Sequence, residues 1–360
     1  MEEKLATLEG GRGGTATSSG HAAEILAIFP LMAPGMEVIV ADKLYGGTIN
    51  LMAKSFKKFG WEAIFANTEN PESFRRAVTE KTRAIFIENL ANPGGIVADL
   101  EAIVKIANEA EVPLIVDNTL ATPFLSQPLE WGADLVIHST TKYLSGQGNA
   151  IGGVVIDSGK FPWLGNPKYP SLSAPSAEYN GLIFAETFGD LAYTMYSHAI
   201  SLRDLGCTQS PMNAWITLNG VETLPLRMER HCSNGIAVAG FLEKHQNVEW
   251  VSHAGLKSSP YYKLGKKYFP NGTGSLFAFG VKGGYESGLK LLESVELFSH
   301  VANLGDTRSL ILHPASTTHR QLTEEQRIAS GAGPEVVRLS VGIECAEDLI
   351  FDLDQALNKL

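Results

Sequence analysis

The 360-residue sequence has few cysteines, no long apolar run and no basic stretch. Its three cysteines, Cys207, Cys232 and Cys345, lie far apart, so we expect no disulfide framework and a reducing, cytoplasmic compartment. No segment approaches about 18 consecutive apolar residues, and the acidic first residues do not form a signal peptide, so no membrane partner is expected. The net charge of −10 and the short, interrupted Lys/Arg runs argue against a nucleic-acid partner.

What the first half of the sequence does have is an alternation of short apolar strands with helices. The predicted strands are residues 37–41, 62–66, 83–87, 113–116, 135–138 and 152–156. Strands rich in Val, Ile and Leu that alternate with helices indicate an α/β domain with a mostly parallel sheet buried on both faces.

The last third of the sequence has a different pattern, in which strands and helices indicate a smaller α+β domain. The predicted strands are 248–252, 275–281, 298–302 and 337–341, and the predicted helices are 286–293, 323–330 and 346–357. We therefore predict a large domain over 1–220, a connecting helix over 221–245 and a small C-terminal domain over 246–360.

A segment at 160–181 interrupts the large domain. It contains four prolines together with Trp163 and Tyr169. Because these aromatic side chains need burial, we interpret the segment as an ordered insertion or lid. Helices are predicted after it at 182–203 and 211–218.

Chemically useful side chains follow several of the predicted strands. Tyr45 follows the first, Glu88 and Asn92 the third, Asp117 the fourth and Lys142 the fifth. Ligands of parallel sheets bind at these carboxyl ends of strands. Because Lys142 stands among hydroxyls and glycines after an apolar strand, it is a candidate Schiff-base nucleophile.

A lysine of this kind can bond to an aldehyde cofactor, of which pyridoxal 5'-phosphate is the common example. That cofactor requires an acid at its ring nitrogen, an aromatic ring over its face and an anion cradle for its phosphate. Asp117 is the candidate acid, Tyr45 the candidate ring, and Arg338 a candidate partner of a substrate carboxylate. The candidate cradle consists of Ser19, Gly20 and His21 at a helix start, with the hydroxyls of Ser139 and Thr141.

Six ordered motifs extend over essentially the whole chain. They are Leu-Tyr-Gly-Gly-Thr (44–48), Glu-Asn-Leu-Ala-Asn-Pro (88–93), Val-Asp-Asn-Thr (116–119), His-Ser-Thr-Thr-Lys-Tyr (138–143), His-Pro-Ala-Ser-Thr-Thr-His (313–319) and Val-Arg-Leu-Ser-Val-Gly-Ile-Glu (337–344). Together they resemble the Cys/Met-metabolism family of pyridoxal-phosphate enzymes. The insertion at 160–181 and Asn303, where the γ-lyase branch typically has a serine, make the O-acetylhomoserine sulfhydrylase branch the most similar one.

The resemblance implies an aspartate-aminotransferase-like fold, that is PLP fold type I, and a homotetramer built as a dimer of dimers. It implies that Lys142 is the Schiff-base lysine and that Asp117 pairs with the ring nitrogen. It further implies that Tyr45 stacks on the ring and assists the leaving group, and that Asn92 hydrogen-bonds the ring hydroxyl.

The same resemblance implies a γ-replacement reaction, with Asn303 and Arg338 binding the substrate carboxylate. O-acetyl-L-homoserine and sulfide, or a thiol, would give L-homocysteine, or a thioether, and acetate. Cystathionine γ-synthase and methionine γ-lyase activities are alternatives, because those enzymes share the same catalytic residues.

The resemblance implies that family members usually carry about sixty more residues before the position of Met1, an estimate that does not come from domain-size rules. That arm includes a Tyr-x-Arg element that reaches the cofactor phosphate of the neighbouring subunit. We therefore expect the N-terminal arm to be missing, which leaves a truncated and catalytically silent subunit as a further alternative. A metal enzyme is the weakest alternative, since His313 and His319 have no acid or cysteine at ligand spacing around them.

Overall fold

The computed structural model describes residues 1–92, 95–318, 320–321, 323–329 and 331–360, and the chain divides into two compact units. The first unit contains Met1–Asn89, Ala98–Ser145 and Asn149–Val221. The second unit contains Leu90–Val97, Gly146–Gly148 and Glu222–Leu360. Each unit thus combines segments from separate parts of the sequence. The predicted division at residues 220 and 245 stays a prediction.

The strands are short and are numbered here in chain order. They are β1 (Gly13–Thr17), β2 (Glu37–Ala41), β3 (Glu62–Ala66), β4 (Thr82–Glu88), β5 (Leu90–Ala91), β6 (Ile96–Val97), β7 (Leu114–Asp117), β8 (Leu135–His138), β9 (Gly153–Asp157), β10 (Val248–Ser252), β11 (Leu276–Val281), β12 (Ser299–His300), β13 (Leu310–Leu312) and β14 (Val336–Ser340).

The helices vary from single turns to one of 19 residues. They are α1 (Glu2–Glu9), α2 (Gly20–Ile28), α3 (Gly46–Asn50), α4 (Pro71–Ala77), α5 (Leu100–Ala110), α6 (Thr122–Leu125), α7 (Pro170–Ser173), α8 (Phe184–Phe188), α9 (Ala192–Tyr196), α10 (Arg203–Leu205), α11 (Pro211–Glu222), α12 (Leu224–Leu242), α13 (Tyr262–Tyr268), α14 (Gly284–Ser294), α15 (Glu324–Ala329) and α16 (Ala346–Leu357).

The first unit is built on a seven-stranded sheet in the order β1-β9-β8-β7-β4-β2-β3. The pairs from β8 to β3 are parallel, while β9 is antiparallel to both of its neighbours. Leu135, Val136 and Ile137 of β8 are fully buried, as expected for a parallel strand covered on both faces. The prediction of a mostly parallel sheet is therefore confirmed, and the ends of β2, β4, β7 and β8 share one edge.

The second unit is built on a five-stranded sheet in the order β10-β11-β14-β13-β12. Its pairs are antiparallel except for β12 with β13. Phe277 and Phe279 of β11 and Leu339 of β14 lie in one apolar core with residues of α12, α14 and α16. Burying a side chain of this size contributes about 1.5–3 kcal/mol, so this core holds the sheet and helices together.

Several local features differ from the predictions, and the two-residue strands β5 and β6 are among them. Strand β1 is not among the predicted strands, because its sequence Gly-Gly-Thr-Ala-Thr has no apolar run and pairing with β9 makes it a strand. Strand β13 is also not among them, and its three residues are too few for an alternating pattern. The single helix predicted at 182–203 is wrong, since Gly189 adopts φ +55° and separates α8 from α9.

Trp163 and Tyr169 of the 160–181 segment are buried, as predicted. The Trp163 and Tyr169 rings meet edge to face with their centroids 5.2 Å apart. The Tyr169 hydroxyl donates a hydrogen bond of 3.0 Å to the Arg83 carbonyl, which fixes the segment on β4. No helix in the described ranges has both the length and the apolar character needed to cross a membrane.

Candidate active site

Helix α2 begins at the segment predicted to cradle an anion. Ser19 has an extended backbone, and its hydroxyl accepts a hydrogen bond of 3.1 Å from the Ala22 N–H, so Ser19 is the N-cap as predicted. Gly20 follows it, and a Cβ atom there would lie 2.7 Å from the Ser139 Cβ. Only glycine therefore lets Ser139 approach the start of α2, which places two of the predicted hydroxyls together at the positive end of a helix dipole.

A chain of hydrogen bonds links Asp117 to the turn that carries the lysine. The Thr119 N–H and hydroxyl both donate to Asp117 Oδ1, the N–H at 2.9 Å. The Thr119 hydroxyl oxygen in turn accepts from the Ser139 N–H at 2.8 Å, and the Ser139 carbonyl accepts from the Lys142 N–H at 3.2 Å. The orientation of the carboxylate and the path of the lysine turn are therefore set by the same contacts.

The surroundings of the Asp117 carboxyl change its pKa. Burial raises its pKa, while the two Thr119 hydrogen bonds and the nearby His138 and His21 rings act in the opposite direction. Because Thr119 holds Oδ1, the second oxygen is the one available to a ligand. A carboxylate in this setting is a strong partner for a protonated ring nitrogen.

Thr141 and Lys142 lie in the turn that follows β8. The Thr141 hydroxyl accepts from the Gly152 N–H at 3.1 Å and lies 3.2 Å from the Gly152 carbonyl. Both residues are half-buried. These contacts with Gly152 fix the turn. Lys142 therefore lies on a fixed segment at the edge of the sheet where the parallel strands end.

Tyr45 lies at the end of the loop that follows β2 and is half exposed, at 50%. Its N–H donates a hydrogen bond of 2.6 Å to Glu88 Oε1 at the end of β4. Its ring centroid lies 5.7 Å from that of His21 at a tilt of 32°. A Cβ atom on Gly47 would lie 2.4 Å from the Tyr45 ring and 2.7 Å from the His21 ring, so glycine is needed for the two rings to pack.

The second unit carries the other predicted site residues, and they contact one another. Arg338 Nη1 donates to Asn92 Oδ1 at 3.3 Å, and Arg338 Nη2 donates to the Asn303 carbonyl at 3.2 Å. A Cβ atom on Gly148 would lie 3.6 Å from Asn303 Nδ2, so that loop passes close to the asparagine. The guanidinium group is held at both terminal nitrogens, Nη1 and Nη2, so its orientation is defined. Bidentate recognition of a carboxylate requires such an orientation.

The predicted site residues therefore fall into two groups. The first unit brings together Ser19, Gly20, His21, Tyr45, Asp117, Ser139, Thr141 and Lys142, and the second unit brings together Asn92, Asn303 and Arg338. Their individual roles stay predictions. His319 lies outside the described residues, and within the described ranges no group of three His, Cys, Asp or Glu side chains is arranged to hold a metal ion.

Sequence reasoning missed Thr119 as a site residue, and it gave Glu88 no role. A threonine two residues after an aspartate is a common turn pattern, which was the available signal for Thr119. The contact of Glu88 with Tyr45 depends on the pairing of β2 with β4 and has no local signal.

Comparison with known proteins agrees with this arrangement. The family of Cys/Met metabolism PLP-dependent enzymes matches residues 1–358. The O-acetyl-L-homoserine sulfhydrylase of Leptospira meyeri is 46% identical, over 100% of this chain and 83% of that protein. The O-acetyl-L-homoserine sulfhydrylase 1 of Thermus thermophilus is 45% identical, over 99% of this chain and 85% of that protein.

A solved structure is similar over the same length. The crystal structure of a putative O-acetylhomoserine (thiol)-lyase from Campylobacter jejuni has a TM-score of 0.95 and 40% identity, over 99% of this chain and 85% of that one. It contains N'-pyridoxyl-lysine-5'-monophosphate. Fold and site thus define a pyridoxal-phosphate-dependent enzyme of fold type I. The chain belongs to the Cys/Met metabolism family of PLP-dependent enzymes.

Proposed function

We propose that this chain catalyses γ-replacement, in which O-acetyl-L-homoserine and hydrogen sulfide give L-homocysteine and acetate. The observation that carries the proposal is the similarity over essentially the whole chain to relatives named O-acetyl-L-homoserine sulfhydrylase and homocysteine synthase. The hydrogen bonds that connect Asp117 through Thr119 and Ser139 to Lys142 also support it. This chemistry needs an acid and an amine at fixed positions relative to each other.

The residues of the first unit fit pyridoxal phosphate in chemistry. Ser19, Gly20, Ser139 and Thr141 offer hydroxyls and N–H groups to a phosphate near a helix start. Asp117 offers a carboxylate oxygen to the ring nitrogen, and bound pyridoxal phosphate supplies an electron sink that stabilises negative charge at the substrate Cα.

Lys142 supplies the primary amine that bonds to the cofactor aldehyde. Once the substrate amine takes over that bond, the Lys142 amine is positioned to accept the proton from the substrate Cα and to return a proton later. A guanidinium could not do this work, because arginine does not lose its proton in proteins. Tyr45 covers the cofactor ring and assists the departure of acetate. Its loop is held by the hydrogen bond from the Tyr45 N–H to Glu88 Oε1.

Arg338 and Asn303 bind the α-carboxylate of the substrate. Arg338 is held by the Asn92 side chain and the Asn303 carbonyl, so its planar donors keep one orientation. Asn92 also hydrogen-bonds the ring hydroxyl in this proposal. The amino-acid substrate is thus selected by its carboxylate, and the γ-substituent is left to react.

We also propose a cytoplasmic homotetramer, built as a dimer of dimers. The family resemblance supports the assembly, and the free thiols of Cys207, Cys232 and Cys345 are consistent with a reducing compartment. Light scattering of the purified chain tests the assembly, and a mass other than that of four chains contradicts it.

The activity is tested with the purified chain, pyridoxal phosphate, O-acetyl-L-homoserine and sulfide. We expect homocysteine and acetate in equal amounts, with no product when sulfide is omitted. Formation of cystathionine from cysteine at a higher kcat/KM would favour a cystathionine γ-synthase. Release of an α-keto acid from methionine alone would favour a γ-lyase. A chain that binds no cofactor contradicts the proposal altogether.

A further inference from the structure

A buried cluster of polar side chains in the first unit is not explained by the chemistry described so far. Glu9, the last residue of α1, is fully buried, and His138 at the end of β8 is 1% exposed. Glu9 Oε1 lies 2.5 Å from His138 Nε2 and accepts a hydrogen bond of 2.7 Å from Asn118 Nδ2. A carboxylate, an imidazole and an amide thus meet at one oxygen atom.

The amide continues this cluster to a third strand. Asn89 Nδ2 donates to Asn118 Oδ1 at 2.7 Å, and Asn118 Nδ2 also donates to the Ser126 carbonyl at 2.8 Å. The Asn118 side chain therefore accepts a hydrogen bond at Oδ1 and donates hydrogen bonds from Nδ2. The cluster joins the carboxyl ends of β4, β7 and β8, three adjacent parallel strands.

Each strand-end member of the cluster is the chain neighbour of a site residue. The neighbouring pairs are Glu88 with Asn89, Asp117 with Asn118, and His138 with Ser139. Whatever fixes the cluster therefore also fixes the anchor of Tyr45, the acid at the ring nitrogen and a hydroxyl of the phosphate cradle. Glu9 reaches these three strand ends from a separate element, helix α1.

Glu9 Oε1 is the atom that joins this cluster, because it contacts both Asn118 Nδ2 and His138 Nε2. Glu9 Oε2 and His138 Nδ1 are both buried and have no hydrogen-bond partner among the described residues. Loss of Glu9 Oε1 would therefore leave the buried His138 ring without a hydrogen-bond partner in the described part of the chain. An unpaired buried polar group is strongly disfavoured, so these contacts hold His138 and Asn118 in place.

We propose that Glu9 is a positioning residue of the cofactor site, which holds His138 and Asn118 and thereby fixes their chain neighbours Ser139 and Asp117 for the cofactor. The same contacts align the ends of β4, β7 and β8. This inference rests on the proposed function in one respect, since it requires that the site binds pyridoxal phosphate. The influence of His138 on the pKa of Asp117, which opposes the effect of burial, agrees with it.

Other titratable groups also act on Asp117. His21 lowers the pKa of Asp117, although burial lowers the pKa of His21 itself. Glu24 is a second buried acid whose pKa is raised to about 8, first by burial and then by Asp117. At pH 7 Glu24 is therefore mostly neutral, and a glutamine at this position reproduces both its shape and its charge. That makes Glu24 a matched control for Glu9.

The test compares Glu9→Gln with Glu24→Gln at pH 7 by titration with pyridoxal phosphate alone. In Glu9→Gln one carboxylate oxygen becomes an amide nitrogen, and this buried donor has no acceptor at the position of Oε2, so the contacts with Asn118 and His138 are disturbed. We expect the dissociation constant of the cofactor to rise about tenfold in Glu9→Gln, the effect of one unsatisfied buried polar group. We also expect the visible absorbance band of the bound cofactor to change its pH dependence. Glu24→Gln should match the parent chain in both measurements.

A second variant protects the test against a folding defect. His138→Asn removes the imidazole that contacts Glu9, so Glu9→Gln and His138→Asn should cause similar losses, and the double variant should add little to either. Binding and absorbance that are unchanged in Glu9→Gln, whatever its melting temperature, overturn the inference and leave the proposed function intact. A parent chain that fails to bind the cofactor overturns both.

Discussion

Buried histidines have different partners in the two units of this chain. In the first unit, His138 lies against the carboxylate of Glu9. In the second unit, His253 Nε2 lies 3.3 Å from the Gly274 carbonyl, and burial lowers the pKa of His253 to about 4. The same residue type at similar burial thus contacts a carboxylate in one unit and a backbone carbonyl in the other.

The acids show the same contrast. In the first unit, burial raises the pKa of Asp134 and of Asp157 to about 7 each, and that of Glu24 to about 8. In the second unit, the buried Asp352 accepts three backbone hydrogen bonds, from the N–H groups of residues 296–298, beside an apolar core. The predicted site residues divide in the same way, with Lys142 in the first unit and Arg338 in the second. We therefore expect variants of the first group to change cofactor attachment and proton transfer, and variants of the second to change substrate binding.

The largest effect is expected for Lys142→Ala in the first unit. Loss of the amine removes both the covalent attachment of the cofactor and the group that moves the α-proton, so we expect kcat/KM to fall by about 10⁴-fold or more. The visible band of the covalently attached cofactor should be absent after removal of unbound pyridoxal phosphate. Absorbance spectra and product assays check both statements.

Lys105→Ala is the matched control, because Lys105 is an exposed lysine on α5 of the same unit. It should keep the parent spectrum and activity. A parent-like spectrum in Lys142→Ala would instead mean that another amine holds the cofactor.

A smaller and different effect is expected for Arg338→Lys in the second unit. Lysine keeps the positive charge but cannot donate from two fixed arms to Asn92 and Asn303. We expect kcat/KM for O-acetyl-L-homoserine to fall by about 100-fold, mainly through KM, because a bidentate carboxylate contact is lost. Steady-state kinetics separate the effect on KM from the effect on kcat, and cofactor titration measures the affinity for pyridoxal phosphate.

Arg308→Lys is the control for Arg338, since Arg308 is an exposed arginine of the same unit whose partner, Asp306, is buried. Lysine keeps the positive charge beside Asp306, so the kinetics of this variant should be those of the parent. Equal kinetics for Arg338→Lys, or a loss of cofactor affinity in it, would break the proposed division between the two units.

Much of the site could be predicted from the sequence, because its members follow strands of a parallel sheet. Asp117 and Lys142 each come after a short Val/Ile/Leu run, and the shared edge of the sheet brings such residues together. The glycine-rich and hydroxylated motifs then indicated the cofactor class. The α/β fold of the first unit followed from the same alternation of strands and helices.

The Glu9 cluster could not be predicted, for a physical reason. Glu9 ends an eight-residue helix before Gly10, a pattern typical of an exposed helix end. Its partners Asn118 and His138 are 109 and 129 positions away in sequence. Burial at that distance depends on the sheet order, and no local pattern of charges encodes it.

The smallest predicted effect concerns stability, and it tests the contrast between buried acids and neutral core residues. The pKa of Glu24 is raised in the folded chain from 4.5 to about 8, so the folded state binds a proton more tightly than the unfolded state. The stabilisation from this proton is complete below about pH 4.5 and is lost as the pH rises through about 8. Between about pH 6 and pH 8 the loss amounts to about 2 kcal/mol.

Glu24→Gln cannot ionise, so it should escape that loss. Its amide oxygen can still accept from the Thr48 hydroxyl, which donates to Glu24 Oε1 at 2.7 Å. Calorimetric melting of the parent and the variant should give similar curves near pH 4.5, and the stability advantage of the variant should then grow by about 2 kcal/mol, a few degrees in melting temperature, between about pH 6 and pH 8. A constant difference across that range would show that Glu24 is already charged at the lower pH. In that case Asp117 would face a second buried negative charge, that of Glu24.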